Sequence, residues 1–174
     1  NMCLVASVSV ANTLAELCEA IGADWSEIAP ALKLDRRIGQ YAYLGPGLGI
    51  AGGNLERDLA TVCNLADQNG TDAGVVRAWV ANSHHRRDWA LRMLYQETLS
   101  KVDNPVIAVL GLAYKQVTDS IKNSPSIALL EHLTSFCVRV FDPVVSASVA
   151  PNPLCHDAES ELEAYEGADV LAVM

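Results

Sequence analysis

Apolar residues recur at helical spacing from the first positions of the chain. Leu4, Val8, Ala11, Ala15 and Cys18 line one face, with Leu14, Leu17 and Ile21 widening it, which predicts a helix over residues 2–21. Gly22 is its stop, and Asp24 caps a second short helix from Trp25 that Pro30 is expected to kink or shorten. Helical spacing returns over residues 55–66 and again over 72–99, where Val75, Val76, Trp79, Val80, Ala90, Met93 and Leu94 form the apolar face. The polar cluster Asn82-Ser83-His84-His85-Arg86-Arg87-Asp88 interrupts that face and reads as a solvated, charged turn of helix. Its adjacent histidines point about 100° apart on a regular helix, which disfavours their sharing a metal.

The period changes beyond the polar linker at residues 100–105. Val106–Leu110 is a continuous apolar run of the kind found in buried parallel strands. Ser124-Pro125 opens an amphipathic helix through Ile127, Leu129, Leu130 and Leu133, and residues 138–141 form a second strand, completing a βαβ unit. Residues 146–157 read as a variable surface connection, residues 159–165 as a short helix, and residues 170–174 as a third strand whose sheet edge needs cover. The expected fold is α/β overall: an all-helical domain over residues 1–101, then a partial Rossmann-like parallel βαβ domain over residues 102–174.

Composition narrows the classes. With 174 residues, 51% hydrophobic and 19% charged, the chain is long enough to bury a core. A net charge of −9 with no basic stripe argues against a nucleic-acid partner. No apolar run reaches the length of a membrane span, and the apolar opening lacks the basic flank of a signal peptide. Cys3, Cys18, Cys63, Cys137 and Cys155 are scattered, odd in number and without Cys-x-x-Cys spacing, so they read as reduced thiols of a cytoplasmic protein, with no metal site.

The chemistry concentrates in residues 34–59. Gly45, Pro46, Gly47, Gly49, Gly52 and Gly53 make a loop whose backbone can approach a ligand closely, and Asn54 stands as N-cap of the helix that follows. Such a loop is either a Gly-rich turn capping an ordinary helix or a seat for an anion such as a diphosphate.

Asp35-x-Arg37-Ile38-Gly39, then Pro46-Gly47-x-Gly49, Gly52 and Asp58-Leu59 resemble the signature of the UDP-glucose/GDP-mannose dehydrogenase family. A second stretch adds to it: Gly111-Leu112-Ala113-Tyr114-Lys115, Thr118-Asp119, Lys122-x-Ser124-Pro125 and Phe141-Asp142-Pro143. The resemblance has edits. Ile50 replaces an aromatic residue, Arg57 a lysine, Ser120 an aspartate and Lys122 an arginine. Asn54 stands where the family keeps its nucleophilic cysteine.

The resemblance implies an NAD-dependent oxidation of a sugar nucleotide at C6, with the aldehyde held on that cysteine. An amide cannot do this, because it offers no nucleophile comparable to a thiolate. Asn1 matches a catalytic asparagine, though at the chain's first position a frayed terminal residue is the plainer account. Asp58 matches an acid that positions or activates water, and Arg37 an arginine reaching the partner subunit's sugar site. Gly49 and Gly52 fall to substrate binding. Lys115 would contact the nucleotide sugar, its alternative being a solvated surface lysine, and Lys122 would reach NAD without arginine's bidentate geometry. The resemblance further implies a homodimer built through the helical domain. It also makes the chain a piece of a larger protein, with the main NAD-binding domain outside it, so that these residues alone are expected to be inactive. The alternative is a catalytically inactive dimerisation or nucleotide-sugar-binding module. For Asp142 a turn role is preferred over a ribose contact, since no Gly-x-Gly-x-x-Gly precedes it.

Overall fold

The apolar stripe at the start of the chain coils into α1 (Met2–Ile21), which ends where Gly22 turns left-handed at φ 72°. The computed structural model describes residues 1–174 and divides into two units, residues 1–50 with 54–86, and residues 51–53 with 87–174. In the first unit, Asp24 caps α2 (Trp25–Lys33) by accepting the Ser26 amide at 2.7 Å. Pro30 lies inside α2, which runs one short turn beyond it. The helices α3 (Asn54–Asn69) and α4 (Gly74–Arg87) complete the unit. Two apolar clusters share α1. Ala11, Ala15 and Cys18 meet Trp25 and Leu44, while Val5 meets Ile50, Leu59 and Val76. The Trp25 indole donates to the Leu44 carbonyl at 2.9 Å, so the buried ring also fixes the irregular segment ahead of the Gly-rich loop.

Two expectations need correction here. By length and composition α1, 20 residues long, is apolar enough to cross a membrane, contrary to the reading that no run was; its scattered polar residues hid this. Within this unit one face of that helix, including Ser9 and Asn12, is covered by protein. The cluster at residues 82–88 is likewise not a uniformly solvated turn. Ser83 and Arg86 are buried, because their spacing of three residues puts both on the inward face of α4.

The second unit begins with α5 (Trp89–Leu94) and a π-helical turn, Tyr95–Leu99. Its sheet holds β1 (Val106–Leu110), β2 (Cys137–Phe141), β3 (Cys155–Asp157) and β4 (Val170–Val173) in the order β3-β2-β1-β4. All neighbours are parallel, with Val106 opposite Cys137 and Ile107 opposite Val170. α6 (Pro125–His132) makes the crossover between β1 and β2, and α7 (Glu161–Tyr165) packs on both strands. Ile107, Ala108, Val109, Leu130, Leu133, Val138, Val140 and Ala164 fill the core. β3 lies within the stretch expected to be irregular. Cys-His-Asp has no apolar pattern to announce a strand, and its position is set from outside by Asn152, whose amide donates to the Leu133 carbonyl at 2.7 Å.

Candidate functional site

The Gly-rich loop is held from within the first unit over residues 47–50. The Asn12 side-chain oxygen accepts the Gly47 amide at 2.7 Å, and the Ser83 hydroxyl oxygen accepts the Ile50 amide at 2.7 Å. Arg86 Nε donates to the Gly47 carbonyl at 2.9 Å. Gly49 takes φ 80°, and a Cβ added there would collide with the Ser83 carbonyl. None of Asn12, Ser83 or Arg86 was read from the sequence as holding this loop. The signal was a shared helix face, Asn12 with buried Val5 on α1 and Ser83 and Arg86 with buried Val76 on α4.

Asn54 is the first residue of α3 and is exposed, one position further into the helix than the N-cap expected. Asp58 follows it by one turn on the same face. The Asn1 amide donates to Asp58, and Arg57 sits 3.3 Å from the other carboxylate oxygen. The Asn1 hydrogen bond, with the Arg57 charge, holds the Asp58 carboxyl below its ordinary value. An acid kept ionised in this way accepts hydrogen bonds and orients water well, and is a weak proton acceptor. Arg37 stands elsewhere in the unit. Its guanidinium is exposed and forked onto Asp35, at 3.0 and 2.5 Å, a local pair that also draws the Asp35 pKa down.

The second unit brings Gly52, Lys115 and Lys122 together around the loop that leaves β1. Gly111, at φ 94°, donates to the Phe141 carbonyl at 2.9 Å and turns the chain off the strand. The Asp142 carboxylate then gathers the amides of Leu112 and Ala113 on one oxygen and those of Val144 and Val145 on the other, at 2.7–3.0 Å. Burial pushes the Asp142 pKa up, and these four hydrogen bonds outweigh it, leaving the group below its ordinary value. That is the structural turn role preferred for it.

Tyr114 follows on the loop, with the Lys115 ammonium 5.3 Å from the centre of its ring. Gly52 packs against the same ring; a Cβ there would lie 3.0 Å from Tyr114 Cε2. The Gly52 amide donates to the Lys122 carbonyl at 3.2 Å, and the Asn123 side chain returns a 2.7 Å hydrogen bond to the Gly52 carbonyl. Lys122 lies along Gly53, where a Cβ would come within 2.8 Å of its Nζ. One ammonium in that position, with no Gly-x-Gly-x-x-Gly turn after β1, is too little to cradle a dinucleotide. Of the thiols, Cys63 packs beside the Val5–Ile50 cluster, and burial together with Asp157 pushes Cys155 up to about 11, so it is an inert thiol.

Residues 1–84 match the UDP-glucose/GDP-mannose dehydrogenase family, central domain, and residues 108–174 match its UDP binding domain. The UDP-glucose 6-dehydrogenase of Pseudomonas aeruginosa is 31% identical over 185 residues, covering 100% of this chain and 40% of that protein. A UDP-glucose 6-dehydrogenase of Haloferax volcanii is 32% identical over 176 residues, covering 99% of this chain and 40% of that protein. The chain therefore spans about 40% of the length of these curated relatives. Among solved structures, a UDP-glucose dehydrogenase from Pyrobaculum islandicum shares the fold at TM-score 0.85 and 24% identity, over 98% of this chain and 40% of that one. The UDP-D-ManNAc dehydrogenase of Pyrococcus horikoshii aligns at TM-score 0.76 and 26% identity, over 97% of this chain and 38% of that one.

Proposed function

Since the chain belongs to the UDP-glucose/GDP-mannose dehydrogenase family, we propose that it binds a nucleotide sugar and serves, in the longer protein, an NAD-dependent oxidation at the sugar C6. The observation that carries the binding reading is the packing of Gly52 against Tyr114, whose ring also faces Lys115, at the loop after β1. A bare backbone, an aromatic face and a cation converge at the carboxyl end of a parallel strand, where ligands of such sheets sit. Lys115 pairs with the diphosphate, and the glycines admit the sugar. Asp58, with Asn1, orients water or a sugar hydroxyl, and Arg37, free to swing off Asp35, reaches a partner's site.

Titration calorimetry of the chain with UDP-glucose tests this. Binding that Lys115→Ala weakens about tenfold or more is expected, a charge-assisted contact being worth about 1.5–3 kcal/mol. Absence of any heat of binding from the unsubstituted chain rejects the reading.

Asn54 supports a second reading, an inactive nucleotide-sugar-binding and dimerisation module, because its exposed amide cannot carry an acyl group. The longer protein separates the two. NADH formed from UDP-glucose without any substitution selects the enzyme, and NADH formed only after Asn54→Cys selects the module. The homodimer belongs to both readings. It is supported by the exposed stripe of Val10, Leu14, Leu17 and Ile21 on α1, an apolar face of the kind that protein surfaces keep for partners. The scattered free thiols suit a cytoplasmic setting.

A further inference from the structure

Asn12, Ser83 and Arg86 are only 1%, 5% and 4% exposed, among the few polar side chains this protein buries. All three act on the backbone of a four-residue segment, at Gly47 and Ile50. Surface loops ordinarily leave such groups to water. Here helical side chains from α1 and α4 satisfy them, so the loop takes its shape from the helices. Arg86 is the costliest of the three to bury. Its remaining nitrogens face Glu16 at 3.7 Å and Glu19 at 3.5 Å, which compensates the charge and aims Nε at the Gly47 carbonyl. Between the two anchor points Gly49 runs at φ 80° against Ser83, leaving the loop little freedom to slide.

We infer that Ser83 and Arg86 are positioning residues for nucleotide-sugar binding, acting through the Gly47–Ile50 backbone. This deepens the reading proposed above and rests on it. The two side chains keep the glycine segment in its ligand-ready shape before the ligand arrives, so that binding need not order it.

The test uses the chain carrying Ser83→Ala, Arg86→Lys or the hydroxyl-preserving Ser83→Thr. Amide hydrogen exchange and calorimetry with UDP-glucose are the two readouts. Ser83→Ala is expected to speed exchange at Ile50 about tenfold while α1 and α3 keep their protection, and to weaken UDP-glucose binding by a similar factor. Arg86→Lys weakens binding likewise, and Ser83→Thr restores both readouts. If Arg86→Lys does not fold, the Ser83 pair decides. Unchanged exchange at Ile50, or faster exchange with unchanged affinity, overturns the inference and leaves the binding reading intact. Failure of the unsubstituted chain to bind UDP-glucose overturns both.

Discussion

Asp142 Oδ2 lies 2.7 Å from the Leu112 amide nitrogen, so a carboxylate just past β2 closes the turn that leaves β1. Asp142→Asn keeps the shape of the side chain and halves its accepting capacity, leaving amides among Leu112, Ala113, Val144 and Val145 unsatisfied. The expected cost is about 1–3 kcal/mol, read by urea unfolding at neutral pH. The same carboxyl predicts an acid limb. Its folded pKa lies below the ordinary 3.8, so its contribution is complete above that value and is lost as pH falls through the folded pKa. Unfolding free energy should therefore drop below pH 3.8, and less steeply in Asp142→Asn. Asp24, Asp35 and Asp58 shift the same way, so the limb flattens without vanishing.

Two glycines of one loop should respond oppositely to an added methyl. Gly49 has a positive φ and a neighbour where Cβ would go, whereas Gly45 faces open space with an ordinary φ. Gly49→Ala is expected to destabilise by about 1–3 kcal/mol, from left-handed strain and collision with Ser83. Gly45→Ala should be neutral or stabilising by up to about 1 kcal/mol, through its effect on the unfolded chain. Equal denaturation midpoints for the two variants would contradict the loop conformation described.

Periodicity made most of this fold legible. The 3.6-residue stripes of α1, α3 and α4 and the unbroken apolar run of β1 each report burial directly, and burial is what shapes those elements. β3 escaped because an edge strand of three polar-flanked residues takes its conformation from β2 and carries no pattern of its own. At the site, the glycines and Lys115 were visible as residue types at a loop. Their supports were not. Asn12 lies 35 positions from Gly47, and Ser83 33 from Ile50, so no local spacing joins them. Arg86 looked solvated because its polar neighbours set the local average, although its own place on α4 faces inward.

The stripe of Val10, Leu14, Leu17 and Ile21 leads to a prediction about assembly. Leu17 is 52% exposed, so replacing it removes little from the subunit's own core. Leu17→Glu should leave thermal unfolding of a dilute sample nearly unchanged while converting a dimer to monomer in sedimentation velocity. Two charges facing one another across a symmetric interface are costly. A monomer before substitution, or a dimer indifferent to it, would remove α1 from the interface.

Asn54→Cys asks whether the start of α3 suits an anion at all. The dipole of a 16-residue helix favours a thiolate at its first position. Asp58, one turn along, opposes this, but its charge is already engaged by Asn1 and Arg57. The helix end should prevail, and the introduced thiol should titrate below the ordinary value of about 8.5. Iodoacetamide at pH 7 is therefore expected to alkylate it several times faster than Cys137, which is also exposed but stands on strand β2. Reaction no faster than at Cys137 would mean that Asp58 governs the local field. The position would then need a cation from elsewhere before it could host the family's thiolate chemistry.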